Sequence, residues 1–231
     1  MELKSILSNG IELESSGTTG TPKKIFQTPE KLRAANRAAI DSQKLTKNSR
    51  VYTVCKMKHA GGLLAQTLPA YSLGADVVIE DFNAYRWVKE IYKYTHSHLT
   101  PSHCNAVMGT KDFWNLDLNG VWITCGSDPV TWGIIEAFVN QGATFMTNWG
   151  MTEIGPCAIN TVFPNIETVN SYKEYQLDGM TLLGDTAYCD WKVQDQELFV
   201  KGDICVYDDW FATGDLVATN YPGDLYYARR K

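Results

Sequence analysis

Short apolar runs and helical stretches alternate along the first two-thirds of the chain. Buried-strand patterns occur at residues 51–56, 75–80, 96–100, 121–126 and 143–149. Helical patterns lie between or before them, at residues 29–43, 61–73, 84–94, 102–109 and 130–140. Strands that alternate with helices at this spacing form parallel β-α-β units. The pattern therefore predicts an α/β fold with a doubly wound, mostly parallel sheet, in which ligands bind at the carboxyl ends of the strands.

Two of the predicted helices carry local signals of their own. Thr28 can cap the helix at residues 29–43, and Pro29 suits its first turn. Within residues 61–73, Pro69 has no backbone N–H to donate, so we expect it to bend the helix or to end its first part.

The pattern changes after about residue 155. Short alternating runs are separated by GD, QDQ, DD and PG, which is typical of antiparallel hairpins. We expect an α/β subdomain at residues 1–155 and a small appended β-rich subdomain at residues 156–231.

Composition narrows the class of protein. The chain has 231 residues, 44% of them hydrophobic, with a net charge of −5. A mildly acidic chain without a basic stretch argues against nucleic-acid binding, and no apolar run reaches the length of a membrane span. The six cysteines form no CxxC pair. We therefore expect free, buried thiols, a cytoplasmic protein, and neither a nucleic-acid nor a membrane partner.

The stretch ESSGTTGTPKK, at residues 14–24, could be a phosphate-binding loop or a flexible linker. Glycines let backbone N–H groups turn inward, hydroxyls add donors, and a lysine adds positive charge. The stretch is not a Walker A loop, because Gly20 is followed by Thr-Pro and not by Lys-Ser/Thr. An unrelated P-loop nucleotidase is therefore disfavoured, while loop and linker both remain open on this stretch alone.

Further motifs follow this loop in a fixed order. They are KHAGGL (58–63), CGSDP (125–129), NWGMTEIGP (148–156), QELFVKGD (196–203), DDWFATGDL (208–216) and LYYARRK (225–231). Together with SSGTTGTPK, they resemble the ordered motifs of the adenylate-forming superfamily, in its acyl- and aryl-CoA ligase branch, which includes o-succinylbenzoate-CoA ligases. The resemblance implies the large-domain core of that fold and two half-reactions. A carboxylate first attacks ATP to give acyl-AMP and pyrophosphate, and a thiol then takes the acyl group.

The resemblance also implies roles for individual residues. Thr152 would donate to the α-phosphate, Glu153 would hold Mg²⁺, and His59 would lie near the substrate carboxylate. Trp149 would stack on adenine, Asp215 would accept from the ribose hydroxyls, and Arg230 would reach the ribose or phosphate. The phosphates would be held by Ser15, Ser16, Gly17, Thr18, Thr19, Gly20 and Lys23. The adenine would be bordered by Gly126 and Ser127.

Each role has a purely structural alternative. Gly214 and Asp215 could form a hairpin turn, and Glu153 could be a carboxylate in the first turn of a helix. Trp149 could be part of the core, and His59 could pack or bond at a strand end.

Three of the four histidines cluster at His96, His98 and His103, close to Cys104. Zinc is conceivable there, but the spacing fits no standard zinc pattern. We favour a strand that is followed by a helix with Pro101 in its first turn.

The sequence also departs from the family pattern. About fourteen residues precede the loop, enough for one strand. The residues end near the hinge that precedes the family's small C-terminal lid domain, which brings a catalytic lysine. We therefore expect that domain to be absent from these residues, and a homodimer or a partner protein to complete the site.

Two functions remain open. One is an acid–thiol ligase-like enzyme that uses ATP and Mg²⁺, for which the use of coenzyme A as co-substrate stays open. The other is a catalytically impaired module that binds a nucleotide or an acyl-adenylate. The acid would be small, and apolar residues near the expected pocket (Met57, Leu63, Met151 and Ile154) suggest an aromatic or aliphatic one.

Overall fold

The computed structural model describes residues 2–15 and 23–231 of the chain. Within these ranges the α-helices are α1 Leu3–Asn9, α2 Pro29–Gln43, α3 Ala60–Gly62, α4 Leu68–Ser72, α5 Ala84–Glu90, α6 Pro101–Met108, α7 Trp132–Asn140 and α8 Ile166–Glu174. The strands are β1 Ile11–Glu14, β2 Lys24–Gln27, β3 Arg50–Thr53, β4 Asp76–Ile79, β5 His96–Leu99, β6 Trp122–Gly126, β7 Thr144–Met151, β8 Gly155–Phe163, β9 Thr181–Gly184, β10 Thr186–Ala187, β11 Asp190–Gln194, β12 Glu197–Lys201, β13 Phe211–Thr219 and β14 Leu225–Arg230. A π-helical turn at Leu63–Thr67 and 3₁₀ turns at Ile91–Lys93 and Asp112–Asn115 complete the helical segments.

The larger sheet has seven strands in the order β10-β8-β7-β6-β5-β3-β4. Strands β4, β3, β5, β6 and β7 are parallel, whereas β8 and β10 are antiparallel to their neighbours. Helices α5, α6, α7 and α8 bury apolar side chains on one face, with Trp87, Phe138 and Phe145 in that core. Helix α2 and the π-helical turn pack on the opposite face of this sheet, where both contact β8. The predicted doubly wound, mostly parallel α/β fold is confirmed.

A second, antiparallel sheet has five strands in the order β11-β12-β13-β14-β9. Its strand β9 packs against β7 and β8, and the two sheets share a core that includes Leu183, Leu198 and Ile159. The change of sheet comes later than the predicted boundary, because residue 155 begins β8, which belongs to the larger sheet. The division into two domains at residues 1–155 and 156–231 stays a prediction.

Helix α2 begins and ends where the sequence predicts. The Thr28 side chain accepts a hydrogen bond from the Lys31 N–H, and Pro29 occupies the first turn. Lys44 ends the helix in the left-handed conformation, with φ 54°. Helix α6 is built in the same way, with Thr100 as its cap and Pro101 in its first turn.

The single helix predicted at residues 61–73 is three segments, with the π-helical turn between α3 and α4. An α-helix would have the residue at position 69 donate to the Ala65 carbonyl, but Pro69 has no N–H. The Gln43 Nε2 donates to that carbonyl instead, at 2.6 Å. The Gln43 Oε1 in turn accepts from Thr124, at 2.7 Å, and links α2 to β6.

Two helices differ from the sequence prediction. The residues before the loop form α1 as well as β1, and not one strand alone. Helix α8 lies in the stretch predicted to be β-rich, and Asn165 caps it by accepting from the Thr168 N–H at 2.9 Å. Asn165 was the signal for this start, since asparagine is a preferred helix cap.

The six cysteines are free, as predicted, and five of them are buried. Across residues 2–15 and 23–231, every helix is too short or too polar to cross a membrane.

Candidate nucleotide and acyl site

Two cavities lie side by side at the carboxyl ends of β5, β6 and β7. The first cavity, of about 300 Å³, is the one that contains Asp215 and Arg230. The second cavity, of about 410 Å³, is the one that contains His59 and Thr152. They share a wall formed by Ser127, Asp128, Asn148, Gly150 and Met151. The two cavities are therefore adjacent chambers at one edge of the sheet, the edge where α/β folds bind ligands.

Asp215 lines the first cavity. Its side chain is only 6% exposed, and each carboxylate oxygen has a donor. Arg230 Nη1 donates to Oδ1 at 2.8 Å, and Trp149 Nε1 donates to Oδ2 at 3.0 Å. A carboxylate offers about four acceptor sites, so this arrangement leaves two for a ligand. Asp215 lies within β13 and not in a hairpin turn, which excludes that alternative.

A second carboxylate holds the backbone beside Asp215. Glu197 on β12 accepts from the Gly214 N–H at 2.9 Å and from Lys231 Nζ at 3.0 Å. The Lys231 ammonium holds the pKa of the Glu197 carboxyl below its ordinary value. Gly214 adopts φ 77°, a conformation that side chains other than glycine rarely accept. These contacts fix the direction in which the Asp215 side chain leaves the strand.

Trp149 is both a core residue and a wall of the first cavity. It is 9% exposed, and it packs with Ile154 and Leu183 while its indole N–H binds Asp215. Its predicted stacking on adenine stays a prediction. The hydrogen bond to Asp215 is an additional role that the sequence gave no direct sign of, because the two residues are 66 positions apart.

The turn after β6 brings Ser127 to the wall that both cavities share, whereas Gly126 lines neither cavity. A Cβ atom on Gly126 would lie 2.3 Å from the Asn148 carbonyl oxygen on β7. Gly126 is thus required for strand contact, and Ser127, at φ 80°, presents its hydroxyl to the cleft. Contact of either residue with adenine stays a prediction.

Thr152 and Glu153 lie in the turn between β7 and β8, not at the start of a helix, which excludes that alternative for Glu153. Thr152 lines the second cavity, and its carbonyl accepts from Gln27 Nε2 at 2.5 Å. Glu153 is buried and lines neither cavity, and its backbone carbonyl accepts from the Val206 N–H. In the described parts of the chain its carboxylate has no ion-pair partner.

The Glu153 carboxylate suits a hard cation by its chemistry. A buried carboxylate without a cationic partner favours a metal ion or a bound donor, and Mg²⁺ prefers carboxylate and phosphate oxygens. The described residues contain no group of three or more His, Cys, Asp or Glu side chains arranged around a metal position. The binding of Mg²⁺ by Glu153 stays a prediction. Among the described residues, the histidines near Cys104 are likewise not grouped with other ligands around a metal position.

His59 lies on the wall of the second cavity, immediately before α3. This position fits the predicted place near the substrate carboxylate, but the role itself stays a prediction. Of the apolar residues expected to surround the acid, Met151 lines the cavity, whereas Leu63 and Ile154 are fully buried away from it. Polar and apolar groups both contribute to the wall, so the expectation of an aromatic or aliphatic acid stays a prediction.

The residues missed by the sequence analysis lie in this second cavity. His98 and His103 line it together with His59, and Asn148 stands on the shared wall. His96 points into the core instead, where its Nε2 lies 3.0 Å from the Gln43 carbonyl oxygen. The alternation of side chains along β5 gave no sign of this difference between His96 and His98.

Most of the predicted phosphate loop lies outside the described residues, namely Ser16, Gly17, Thr18, Thr19 and Gly20. Its two ends are described. The Ser15 N–H donates to the Lys23 carbonyl at 2.8 Å, and the Lys23 N–H donates to Ser15 Oγ at 3.3 Å. The ends of the loop are thus joined as a continuation of the β1–β2 hairpin. The phosphate contacts of Ser15 and Lys23 stay predictions.

The chain is similar to proteins of known identity. The chain is 26% identical to an indoleacetate–CoA ligase of Aromatoleum aromaticum over 237 residues, which is 94% of this chain and 46% of that protein. The N-terminal domain of FACL13 from Mycobacterium tuberculosis, solved with an inhibitor, superposes with a TM-score of 0.78 at 20% identity, over 95% of this chain and 60% of that one. An o-succinylbenzoate coenzyme A synthetase from Bacillus subtilis in complex with AMP gives 0.76 at 20% identity, over 95% and 49%.

The chain spans less than half the length of the curated relatives it matches. The two structures support the fold, and the curated relative supports the acyl-CoA ligase branch. The model of the AMP-binding enzyme family matches residues 15–214, from the start of the predicted phosphate loop to the glycine beside Asp215. This chain therefore belongs to the AMP-binding enzyme family, the adenylate-forming proteins that its ordered motifs resemble.

Proposed function

We propose that this protein activates a small carboxylic acid as its acyl-AMP, the first half-reaction of an acid–thiol ligase. The observation that carries the proposal is the pair of adjacent cavities that share a wall. One chamber holds Asp215 and Arg230, and the other holds His59 and Thr152. A bound nucleotide in the first chamber and an acid in the second would meet at the wall that the chambers share.

The first chamber suits a nucleoside. Asp215 keeps acceptor capacity for ribose hydroxyls, and Arg230 adds a positive charge that is partly exposed. Its volume of about 300 Å³ lies at the lower end of the range for small-molecule sites, as expected for a chamber that adjoins a second one.

Positioning and charge neutralisation would supply most of the rate enhancement. The reaction brings a carboxylate towards a triphosphate, so donors and cations must be in place before the two anions approach. Thr152, on the wall of the second cavity, would donate to the α-phosphate, and Glu153, one residue further on, would bind a Mg²⁺ ion carried by the nucleotide. Mg²⁺ would neutralise phosphate charge during the reaction.

Coenzyme A as thiol acceptor rests on the identity of the curated relatives, an indoleacetate–CoA ligase and an acyl-CoA synthetase. We propose the same acceptor class for the whole protein. A second subunit or a partner protein that completes the cleft belongs to the same proposal.

The test is ATP–pyrophosphate exchange with a broad panel of carboxylic acids, with and without coenzyme A. We expect exchange that depends on one group of acids and that falls strongly in Asp215→Asn. In that variant an amide N–H₂ replaces one carboxylate oxygen. It would face a donor, either Arg230 or Trp149, where an acceptor is needed. Tight ATP binding without exchange for any acid would contradict the proposal.

A second function is favoured by one observation. Both hydrogen bonds that hold Asp215, from Arg230 and from Trp149, are formed within this chain. A nucleotide could therefore bind here without any catalysis. Calorimetry with AMP and ATP tests this binding role. If the protein binds both nucleotides and lacks acid-dependent exchange, the binding role replaces the enzymatic one. Equal affinity in wild type and Asp215→Ala would contradict the ribose contact on which both functions depend.

A further inference from the structure

The turn between β7 and β8 is held from two sides. On one side, the Glu153 carbonyl accepts a hydrogen bond from the Val206 N–H at 2.9 Å. On the other side, the Thr152 carbonyl accepts from Gln27 Nε2 at 2.5 Å. The first bond joins two backbone groups, whereas the second depends on a side chain and can be removed by substitution.

The Gln27 side chain is committed to this contact. Gln27 is the last residue of β2, and the alternation along that strand directs Phe26 outward and Gln27 inward, where it is 1% exposed. Burial of an amide side chain is costly unless the amide is hydrogen-bonded. The bond to the carbonyl of Thr152, 125 positions away along the chain, offsets that cost.

Strand β2 also leads away from the predicted phosphate loop. Its pairing with β1 is regular from Glu14 opposite Lys24 to Ile11 opposite Gln27. A two-stranded ladder therefore joins the ends of the loop to Gln27. Through this residue, the hairpin that flanks the loop is bonded to the turn that carries Thr152.

This link matters because the two parts would hold neighbouring phosphates of one nucleotide. In the proposed function the loop binds the β- and γ-phosphates, and the Thr152 hydroxyl donates to the α-phosphate. Such donors act best when they are in place before the anions approach. A bond to the Thr152 carbonyl fixes the backbone from which the hydroxyl projects, without any contact between Gln27 and the nucleotide.

We propose that Gln27 is a positioning residue for the α-phosphate, which holds Thr152 where its hydroxyl meets that phosphate. This inference rests on the proposed function, because it takes the role of Thr152 from it. It adds a residue that lies outside every quoted motif and that lines neither of the two cavities.

Titration calorimetry with adenosine and with AMP tests the role without any chemistry. Adenosine probes the nucleoside site at Asp215, and AMP adds the α-phosphate, so the ratio of the two affinities measures what the phosphate contributes. Gln27→Met has a side chain of similar length without an N–H donor. We expect this ratio to fall roughly tenfold in Gln27→Met while adenosine affinity stays within about twofold, since small misplacements of a positioned group have large effects.

A double-mutant cycle shows whether Gln27 acts through Thr152. Thr152→Val removes the hydroxyl and should also lower the ratio. The double variant Gln27→Met/Thr152→Val should have the same ratio as Thr152→Val alone, because no hydroxyl is left to position. Gln27→Leu is a second variant without the donor and should behave as Gln27→Met does.

Gln66→Met is the matched control. Gln66 is also 1% exposed, its Nε2 donates to the Thr124 hydroxyl at 3.3 Å, and it lines neither cavity. The substitution removes a buried amide donor far from the β7–β8 turn in sequence, and it should leave the ratio unchanged. Thermal unfolding of each variant checks that it is folded at the temperature of the titration.

Several outcomes would overturn the inference. They are an unchanged ratio in Gln27→Met, equal losses of adenosine and AMP affinity, a further fall of the ratio in the double variant, and AMP that binds wild type no more tightly than adenosine. Failure of both Gln27 variants to fold would make the bond a requirement of the fold and would also overturn it.

The measurement separates this inference from the proposed function. A lowered ratio in Gln27→Met, together with no acyl-AMP formation from any acid, would support the inference and contradict the proposed enzyme. Acyl-AMP formation at the wild-type rate in Gln27→Met would support the enzyme and overturn the inference.

Discussion

The hydrogen bond from the Trp149 indole to Asp215 can be tested by the variant Trp149→Phe. The donor and acceptor atoms are 3.0 Å apart, and both side chains are buried. A hydrogen bond to a charged group contributes about 1.5–3 kcal/mol to stability. Arg230 remains on the other carboxylate oxygen in the variant, so the carboxylate keeps a partner. We therefore expect a loss of about 1.5–3 kcal/mol beyond the effect of the smaller ring.

Trp122→Phe provides the control for ring size. Trp122 stands at the amino end of β6, away from the cleft, and its indole N–H has no partner in the described parts of the chain. The same change of side chain there removes ring area but no hydrogen bond. For a chain of this length the excess loss corresponds to a decrease in Tm of roughly 3–12 °C.

Urea unfolding followed by circular dichroism measures this difference, since tryptophan fluorescence is altered by the substitutions themselves. Calorimetry with AMP gives the functional result. We expect weaker AMP binding in Trp149→Phe and unchanged binding in Trp122→Phe. Equal losses of stability in the two variants, together with wild-type AMP affinity, would refute the claim that the indole positions Asp215.

Further predictions concern packing, pH and thiol reactivity. Gly126→Ala should lower the free energy of unfolding by about 1–3 kcal/mol or more, because its Cβ meets the neighbouring strand at 2.3 Å. Gly133→Ala in α7, where a Cβ meets nothing within 4 Å, should raise it by about 0.5–1 kcal/mol in the same urea assay. Equal effects would contradict the packing argument. Because Lys231 lowers the pKa of Glu197, the pair stabilises the fold above the ordinary value of 4.5, and this stabilisation is lost as the pH falls through the lowered pKa. Glu197→Gln should therefore show a smaller decrease in Tm between pH 6 and pH 3, and parallel Tm curves would argue against the pair. Burial raises the pKa of Cys189, the most accessible thiol, to about 12, so thiol reagents at pH 8 should label the native protein far more slowly than the protein in urea. Similar rates would show that burial does not protect the thiols.

Much of the fold could be predicted from the sequence because its signals are local. Helix α2 has a capping threonine, a proline in its first turn and a run of alanines, and each favours the same start and the same conformation. Strand β6 has a mainly apolar run and is buried on both faces, as expected for a central parallel strand, whereas β5 is equally buried although three of its four residues are polar.

The features that could not be predicted depend on contacts between distant residues. The π-helical turn at residues 63–67 exists because Gln43, twenty-two positions before Ala65, takes the carbonyl that Pro69 cannot serve. Helix α8 was not predicted, because its apolar face is short and it lies next to the alternating pattern of the later strands.

The candidate site also combines residues that the sequence could predict with residues that it could not. Motif order placed Asp215, Trp149 and Thr152 at one cleft, because the family keeps these residues in a fixed sequence. His98 lies outside the quoted motifs, and it lines the second cavity because the register of β5 against β3 and β6 sets its side chain beside the turn at Gly61. Side-chain environment of that kind is set by tertiary packing and not by local pattern.

The most direct test of the central claim is detection of the acyl-adenylate itself. The protein is mixed with ATP labelled at the α-phosphate, Mg²⁺ and the acids that bind, and the products are separated after a single turnover. We predict a labelled acyl-AMP that requires the acid, that forms with wild type and that is strongly reduced in Asp215→Asn. Labelled ATP that stays unchanged with every acid, although ATP and acid both bind, would contradict the claim that this cleft forms acyl-adenylates.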